Sequence, residues 1–587
     1  MVFLGARVLA ILSRRSSCLR PNVIRFASVL PDAAVDYETA KREFHLDVPR
    51  HFNFSSVIER WAAIEKARGR QNPALWWVDD NGNERGWSFA ELVDSSKRIA
   101  NLLTGICKLK RGDKLILVLP RLPEWWMVNL ACIRAGIIVS PGTTQLTSHD
   151  IKYRLVTSEA ACIVADGENA DKIDQISDQE CPDLKVRLLI NGDGNRQGWI
   201  PYHDFVEETA VSNDYEMCDT LSSEPMNIFF TSGTTGFPKM ALHTHASYGL
   251  GHLITGRYWL GLTPNDVFWS MSDTGWAKAY WSSLFAPWSE GATVFVHHTD
   301  SFDPRRTLQV LSSYPITSFC SAPTALRVLV HEDLKSFQFQ SLRQVVSAGE
   351  PLNPEVIEQW KAGTGITIRE GYGQTETTLL CGTLTGMEAR LGSMGKPAPG
   401  YDIKIIDKDG NENDVGSEGE IAIKLAPKRP VGLFSGYLND QERTESCFVG
   451  DDYYLTGDRG YFDEDGYIWF VSRSDDVIIT AGYRVGPFEV ESALVSHKAV
   501  LESAVVGSPD KERGTIIKAF VVLSPGYQGN EDLKSELQTH VRNVTAPYKY
   551  PRKIEFVASL PKTMSGKIRR VELRELEMKN SKSMEST

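Results

Sequence analysis

The chain has 587 residues, enough for roughly three to five domain-sized units, which excludes a peptide or a mini-scaffold. Hydrophobic residues make up 42% and charged residues 24%, so the composition is that of a globular protein and excludes a collagenous, coiled-coil or disordered chain. The 64 basic and 75 acidic residues give a formal charge of −11, and we therefore expect no nucleic-acid partner.

The nine cysteines are widely spaced and form no Cys-x-x-Cys pair. This spacing argues against a disulfide framework or a zinc site and favours a reducing compartment. We also expect no transmembrane segment, because no uncharged apolar run reaches about 18 residues. The best candidate, residues 127–140, is short and is interrupted by Arg134.

The first thirty residues differ from the rest of the chain. They contain five arginines, four serines and no acidic residue. This composition is typical of a mitochondrial transit peptide, which we predict over residues 1–27, with the mature protein in the mitochondrial matrix. A secretory signal is the alternative, but the apolar run from Val8 to Leu12 is short and is followed by further arginines.

From Asp113 to about residue 400, short β-branched runs alternate with helical patterns. The predicted strands are residues 114–120, 161–165, 186–190, 227–230, 292–296, 316–320 and 342–346. Residues 124–135 predict an amphipathic helix. Alternation of this length predicts an α/β fold of layered subdomains with parallel sheets.

The remaining chain changes character twice. From Gly400, closely spaced strands with Asp-Gly turns at residues 409–410 and 465–466 predict a small antiparallel β unit. From Asp475 the pattern predicts an α+β module. Its predicted elements are helices from Pro487 and Glu531, strands near Val500 and Ile516, and a strand over residues 553–557.

The strongest local motif is Phe230-Thr-Ser-Gly-Thr-Thr-Gly-Phe-Pro-Lys239, directly after an apolar strand. Its glycines allow close backbone approach, its hydroxyls and amides can donate to phosphate oxygens, and its lysine adds a charge. The Walker A spacing is not met, because Phe237 and Pro238 separate the second glycine from Lys239. We predict that residues 231–239 hold the β- and γ-phosphates of a nucleotide.

From this motif onward the chain resembles the adenylate-forming superfamily, which includes acyl-CoA synthetases, peptide-synthetase adenylation domains and beetle luciferases. Five further segments look like the family motifs and stand in the family order: residues 371–376, 454–458, 472–476, 481–484 and 561–567. Together with residues 272–276, residues 347–350 and the leader, they are most similar to the medium-chain acyl-CoA synthetases. Ser472 stands where the family has glycine before the hinge arginine, which puts the hinge geometry in doubt.

This resemblance implies a large N-terminal adenylation domain, residues 28–474, and a mobile C-terminal domain, residues 475–587. The reaction has a clear chemical need, because a carboxylate is a poor acyl donor until it is converted to an anhydride with AMP. Displacement at the α-phosphate then depends on charge neutralisation.

The resemblance also assigns a nucleotide site, with Lys239 and Lys567 as catalytic cations. Its expected ATP-binding residues are Thr231, Ser232, Gly233, Thr234, Thr235, Gly236, Phe237, Pro238, Lys239, Glu370, Gly371, Tyr372, Gly373, Gln374, Thr375, Asp458, Arg473 and Lys567. Glu376 is the expected Mg²⁺ ligand, since Mg²⁺ prefers one or two carboxylates plus phosphate oxygens. We expect Asp458 at a strand end, where it accepts both ribose hydroxyls; a turn-capping aspartate is the alternative.

The expected CoA-binding residues are Gln145, Ala481, Gly482, Tyr483, Arg513, Arg542 and Tyr550. The expected acyl-substrate residues are Trp276, Thr375 and Arg484, with Tyr280 and Trp281 as neighbouring aromatics. Trp276 could equally be a core residue. Gly371 stands where some relatives carry a side chain, which implies a slightly roomier pocket.

The sequence therefore predicts a mitochondrial ligase that joins a medium-chain fatty acid to CoA through an acyl-adenylate, with ATP and Mg²⁺. Short-chain or aryl acids are alternative substrates, and a non-catalytic nucleotide or acyl-CoA sensor is an alternative from another class. Carrier-linked amino-acid adenylation and a luciferase-like oxidase fit less well, because no carrier domain follows Lys567 and the C-terminus is not a peroxisomal address. The oligomeric state stays open.

Overall fold

The structure is a computed structural model that describes residues 36–192, 196–206, 212–231, 238–474, 476–480, 483–510, 514–563 and 566–585. The predicted transit peptide, residues 1–27, lies outside the described residues. Within them the chain forms mixed sheets and helices, which confirms the predicted α/β class with a smaller C-terminal module.

The strands, in chain order, are β1 Leu75–Asp79, β2 Glu84–Trp87, β3 Lys114–Val118, β4 Ile138–Pro141, β5 Cys162–Asp166, β6 Val186–Ile190, β7 Ile200–Pro201, β8 Pro225–Thr231, β9 Lys239–Thr244, β10 Val267–Ser270, β11 Thr293–His298, β12 Ser318–Ser321, β13 Gln344–Ala348, β14 Ile368–Gly373, β15 Leu379–Gly382, β16 Lys396–Pro397, β17 Ile403–Ile406, β18 Gly419–Lys424, β19 Gly436–Tyr437, β20 Phe448–Val449, β21 Tyr453–Phe462, β22 Ile468–Arg473, β23 Ile478–Thr480, β24 Tyr483–Val485, β25 Val500–Asp510, β26 Gly514–Leu523 and β27 Lys553–Phe556.

The α-helices are α1 Tyr37–Glu43, α2 Ser55–Arg68, α3 Phe89–Asn101, α4 Pro123–Ala135, α5 Ser148–Ser158, α6 Gly167–Ile173, α7 Tyr202–Val206, α8 His252–Ile254, α9 Ala277–Tyr280, α10 Ala286–Ser289, α11 Pro304–Ser313, α12 Pro323–Leu329, α13 Pro354–Thr364, α14 Gln441–Glu445, α15 Pro487–Val495, α16 Glu531–Val544 and α17 Arg570–Glu585. Short π-helical segments are Leu102–Ile106, His245–Leu250, Thr255–Trp259 and Trp281–Phe285, and 3₁₀ turns are Asp178–Glu180, Leu334–Ser336 and Pro547–Lys549. No described helix is both long and apolar enough to cross a bilayer.

Two large sheets form the N-terminal part. The first has the order β19-β9-β8-β4-β3-β5-β6-β7, with a parallel centre and antiparallel β9 and β19 at one edge. The second has the order β16-β15-β14-β13-β12-β10-β11-β1-β2, again parallel in its centre. Central strands such as β3 are apolar runs because both of their faces are buried.

Helix α4 differs from its predicted character. It begins with proline in its first turn and ends at Gly136, whose φ of +69° suits the left-handed cap. The prediction of an amphipathic helix is wrong, because every residue from Trp125 to Ala135 is buried. Its core cluster includes residues of both sheets, such as Leu115 and Val294, so the helix lies between them and needs no polar face.

Strands β17, β18, β20, β21 and β22 form the antiparallel unit predicted after Gly400. In the C-terminal module, β25 and β26 pair antiparallel and β27 joins them parallel, with α15 and α17 packed against β25 and α16 packed against α15. The predicted elements near 487, 500, 516, 531 and 553 are all present. This module therefore has its own apolar core.

Candidate active site

A single deep cavity of about 2480 Å³ opens where the two large sheets, the antiparallel unit and the C-terminal module meet. The sequence-predicted residues that line it are Thr231, Pro238, Lys239, Trp276, Glu370, Gly371, Tyr372, Gly373, Gln374, Thr375, Glu376, Asp458, Arg473 and Lys567. The fold thus brings together side chains that are more than 300 positions apart. Ser232, Gly233, Thr234, Thr235, Gly236, Phe237, Ala481, Gly482 and Arg513 lie outside the described residues, as do the side chains of Tyr483 and Arg484.

The two ends of the phosphate loop are fixed by a strand pair and by helix α5. Thr231 and Lys239 face each other in the β8–β9 register. The Tyr153 hydroxyl donates to the Pro238 carbonyl oxygen at 3.1 Å, and the Arg154 guanidinium lies 4.5 Å from the Phe230 ring centroid. Helix α5 therefore contacts both ends of a loop whose sequence suits phosphate binding.

Replacement of Tyr153 by phenylalanine is expected to raise the KM for ATP about fivefold, because one hydrogen bond of ~1 kcal/mol to the loop is lost. The KM for the acid and the melting temperature should stay close to those of the wild type. Steady-state kinetics with each substrate varied separately test this. Tyr453→Phe is the matched control, because the Tyr453 hydroxyl donates to the exposed Glu412 instead. An equal rise in the KM for ATP in both variants would contradict the role of Tyr153.

Lys239 is held in a partly buried, positively charged environment. Its Nζ lies 5.2 Å from the centroid of the Tyr437 ring. Burial lowers the pKa of Lys239, and the nearby Arg443 lowers it further. The positive charges of Lys239 and Arg443 repel each other, and anionic phosphates would relieve that repulsion. These two side chains are therefore suited to a polyphosphate ligand.

Asp458 is buried and accepts three hydrogen bonds. Its Oδ2 accepts from the Tyr372 hydroxyl at 2.5 Å and from Gln374 Nε2 at 2.7 Å, and its Oδ1 pairs with Arg473 Nη1 at 3.0 Å. The expectation of a strand end is wrong, since Asp458 lies in the interior of β21. Gly457 beside it has a φ of +70°, which disturbs the strand locally at that point. The carboxylate therefore ties the 371–376 segment to Arg473.

Glu376 has the properties that a magnesium ligand needs. Its Oε1 accepts from the Tyr437 hydroxyl at 2.7 Å, and the residue lines the cavity close to Lys239. No described cluster of three or more His, Cys, Asp or Glu residues could hold a metal. One carboxylate nevertheless fits Mg²⁺, because this ion commonly binds through one or two carboxylates with substrate phosphates and water.

Glu370 is a partly buried residue of β14 that lines the cavity. Its Oε1 accepts from the Leu352 amide at 3.0 Å, and burial raises its pKa to about 8. The group is therefore protonated at neutral pH inside the cavity wall.

This raised pKa predicts a pH-dependent stability. The carboxyl group of Glu370 binds its proton more tightly in the folded state than in the unfolded state. Its contribution to the free energy of unfolding is therefore fully present below about pH 4.5 and is lost as the pH rises through 8. The urea midpoint of the wild type should fall between pH 6 and 9, and Glu370→Gln should flatten that fall. Glu442→Gln, a control at an exposed residue, should leave the pH dependence of the urea midpoint unchanged. If both variants flattened the fall of the midpoint, the fall could not be assigned to Glu370.

Lys567 reaches the cavity from the C-terminal module. It is exposed and sits in a tight loop in which the Thr563 amide donates to the Lys567 carbonyl at 2.7 Å and the Lys567 amide donates to Thr563 Oγ1 at 3.1 Å. The module also contacts the N-terminal part directly, through Asn353 Nδ2 donating to Ser492 Oγ at 3.2 Å. In the described arrangement Lys567 therefore lines the cavity together with residues of the N-terminal part.

The acyl side of the cavity is only partly as predicted. Trp276 and Trp281 line it, whereas Tyr280 is fully buried against Trp125 and Phe229 and belongs to the core. The expectation of extra room at Gly371 is wrong, because a Cβ there would lie 2.5 Å from the Trp259 ring. Trp259 already fills the space that the glycine leaves.

Sequence reasoning missed two polar groups in this region. Lys278 lines the cavity, donates from Nζ to the Ala348 carbonyl at 2.8 Å, and has its pKa lowered by burial. His252 also lines the cavity. Lys278 follows Trp276 by two residues and could have been noticed; His252 lies in a run with no motif.

The described CoA candidates do not line the cavity. Gln145 is exposed in the loop after β4, and the Arg542 guanidinium lies 3.8 Å from the Tyr550 ring centroid on the C-terminal module. None of these three lines the cavity in the described part of the chain. The structure brings the nucleotide candidates together and leaves the CoA candidates apart.

Comparisons with known proteins agree with this geometry. Residues 60–438 match the family described as AMP-binding enzyme, and residues 489–567 match the AMP-binding enzyme C-terminal domain. The mitochondrial acyl-coenzyme A synthetase ACSM3 of Mus musculus is 51% identical over 94% of this chain and 95% of its own length. The mitochondrial acyl-coenzyme A synthetase ACSM4 of Homo sapiens is 52% identical over 93% of this chain and 94% of its own length. The solved anthranilate CoA ligase AuaEII, in complex with anthranoyl-AMP, superposes with a TM-score of 0.83 at 29% identity, covering 91% of this chain and 99% of that one.

Proposed function

The chain belongs to the AMP-binding enzyme family, among relatives that are mitochondrial acyl-coenzyme A synthetases, and from this premise we propose that it ligates medium-chain fatty acids to CoA. The comparisons confirm the expected class of reaction, ATP-dependent acyl-CoA ligation with Mg²⁺ and CoA, and the mitochondrial localisation. The chain is accordingly an enzyme, and a purely sensing role is set aside. The chain-length preference and the roles of single residues belong to the proposal.

One observation carries the proposal: a single cavity holds the phosphate-loop ends, the buried Asp458 and Lys567 on its polar side, and tryptophans on its apolar side. The loop ending at Lys239 would bind the β- and γ-phosphates. Asp458 would accept the ribose hydroxyls, and Glu376 would hold Mg²⁺, which supplies charge neutralisation at the phosphates.

In the proposed first half-reaction, a carboxylate oxygen of the acid attacks the α-phosphorus and pyrophosphate leaves. Negative charge builds up on the phosphate oxygens, and the ammonium of Lys567 is placed to offset it. Thr375 would orient the acid. The products are the acyl-adenylate and pyrophosphate.

In the proposed second half-reaction, the CoA thiolate attacks the acyl carbonyl carbon and AMP leaves. The C-terminal domain, residues 475–587, would turn relative to residues 28–474 and present residues 481–484 to the cavity. Such a movement is supported by Arg542 and Tyr550, which contact each other on the C-terminal module and do not line the cavity in the described orientation.

The wall of the acyl side favours a chain of moderate size. Trp276, Trp281 and Trp259 surround it, and Trp259 closes the space beside Gly371. Aromatic walls bury an alkyl chain well, and they also accept a flat aryl acid. Aryl acids therefore remain the second candidate, favoured by the structural likeness to an anthranilate ligase.

The test is the production of AMP and acyl-CoA by the purified protein with ATP, Mg²⁺ and CoA, over saturated acids of two to sixteen carbons and benzoate. The proposal expects a maximum of kcat/KM at six to ten carbons. A maximum with benzoate would favour the aryl candidate, and a maximum at two or sixteen carbons, or no acyl-CoA from any acid, would overturn the medium-chain proposal.

A further inference from the structure

A buried histidine lies directly behind the residue that the proposed chemistry uses to orient the acid. His243 belongs to β9, four residues after Lys239, and its side chain is fully buried. It is not among the residues that line the cavity, but its Nε2 lies 2.7 Å from the carbonyl oxygen of Thr375, which is. This contact joins two segments that are 132 positions apart in the sequence.

The Thr375 carbonyl needs a partner from outside its own segment. Strand β14 ends at Gly373 and β15 begins at Leu379, so Thr375 lies in the turn between them and outside the ladder of strand hydrogen bonds. Backbone carbonyl groups that leave a ladder inside a protein are nearly always paired with another group. Here that group is the imidazole of His243.

The protonation of His243 follows from its two partners. A carbonyl oxygen can only accept, so Nε2 carries a hydrogen and donates to Thr375. Burial lowers the pKa of His243 to about 4, so the ring is neutral at pH 7 and Nδ1 is an acceptor. The Ser247 hydroxyl, 2.9 Å away, therefore donates to Nδ1. Both ring nitrogens are thus paired in one orientation of the ring.

Aromatic neighbours restrict this ring further. The ring of Phe229 lies edge-on to His243 at 6.0 Å between centroids, and the ring of Tyr248 lies edge-on at 4.7 Å. A close-packed interior leaves a buried side chain little room to change its position. The Nε2–H group is therefore held in place for the Thr375 carbonyl.

The two residues that flank Thr375 are held by other bonds. Gln374 donates from Nε2 to Asp458 at 2.7 Å, on the proposed nucleotide side. The carbonyl of Glu376 accepts from the Phe434 amide at 2.8 Å. Between them, the hydroxyl of Thr375 forms no hydrogen bond with any of the described residues, so it is available to a substrate. The bond from the histidine therefore acts on this position separately from the nucleotide contacts.

We propose that His243 is a positioning residue for adenylation: its Nε2–H donates to the Thr375 carbonyl and so sets the position in which the Thr375 hydroxyl receives the carboxylate of the acid. The inference rests on the proposed function and deepens it. Small displacements of an orienting group weaken its contact with the substrate, although the group itself is unchanged. Because the flanking residues have other anchors, the effect should fall on the acid and not on ATP.

The experiment measures pyrophosphate–ATP exchange by the full-length protein, with the best acid of the substrate panel and ATP varied separately. His243→Leu should raise the KM for the acid about 10-fold, because the buried carbonyl loses its donor and the turn shifts. The KM for ATP should stay near the wild-type value. His243→Gln can place an amide N–H near the Nε2 position and should keep the KM for the acid close to that of the wild type.

His245→Leu is the matched control. His245 lies two residues further along the chain, is also buried, and has its pKa lowered to about 4 by burial. It is not among the residues that line the cavity, and the charged groups that influence it are Glu224 and Arg111. This variant should lose a comparable amount of stability and keep the wild-type KM for the acid.

The outcomes separate the inference from the proposed function. The inference is overturned, and the proposed function stands, if the wild type activates an acid but His243→Leu leaves its KM unchanged or raises both KM values equally. It is also overturned if His245→Leu matches His243→Leu, or if His243→Gln is as impaired as His243→Leu. If the wild type activates no acid, both claims fall.

A second variant decides the matter should His243→Leu not fold. Ser247→Ala removes the hydroxyl that orients the ring and retains the imidazole. It should raise the KM for the acid about threefold, as the loss of one hydrogen bond does, without changing the KM for ATP. An unchanged KM for the acid in this variant would overturn the inference.

Discussion

Replacement of Lys567 by alanine is expected to lower the rate of acid-dependent adenylation by roughly 10²–10³, as the loss of one preorganised cation typically does. Formation of the thioester from supplied acyl-AMP should be spared. Lys567 lines the cavity, and its main chain is tied to Thr563 by two hydrogen bonds. Burial lowers the pKa of Lys278, and the positive charge of Lys567 adds to that lowering.

The two half-reactions can be measured separately. Pyrophosphate–ATP exchange with octanoate reports adenylation, and acyl-CoA formation from synthetic octanoyl-AMP reports thioester formation. Lys553→Ala is the matched control, since Lys553 lies on the same module and its Nζ donates to Ser508 Oγ at 3.2 Å. Equal losses in both half-reactions would rule out the account in which a second domain orientation removes Lys567 from the site.

Much of this site could be predicted because its chemistry is concentrated in short segments. The phosphate-loop segment and residues 371–376 each place several functional groups within ten positions, so the pattern is visible without the fold. The strand before the phosphate loop could also be predicted, since β8 is an apolar run, whereas β14, which contains Arg369 and Glu370, has no such pattern. The β8–β9 pairing then sets Thr231 opposite Lys239.

The parts that could not be predicted depend on partners distant in sequence. Helix α4 looks amphipathic by pattern, and only the presence of a sheet on each side explains its complete burial. The space beside Gly371 is filled by Trp259, 112 positions away, which no local reading of the glycine reveals.

Replacement of Asp458 by asparagine is expected to lower kcat/KM for ATP about 10- to 100-fold, since loss of charged hydrogen bonds at a buried group costs ~1–3 kcal/mol. The change keeps the size of the side chain but removes the charge that pairs with Arg473 and that accepts from Tyr372. Burial, together with Asp458 itself, raises the pKa of Tyr372 well above its usual value, so the phenol stays a donor and cannot compensate. The kinetic loss should appear mainly in the KM for ATP, while the KM for the acid changes little.

Asp463→Asn provides the comparison, because Asp463 follows the end of the same β21 strand and pairs with Arg390 at 2.7 Å in a similar arrangement. That variant should lose a comparable amount of stability and leave the KM for ATP near the wild-type value. Tyr372→Phe adds a second check: it removes one donor to Asp458 and retains the carboxylate, so its effect on ATP should be smaller than that of Asp458→Asn. If Asp463→Asn raised the KM for ATP as strongly, the loss would come from a weakened β unit, and Asp458 would have no direct part in binding the nucleotide.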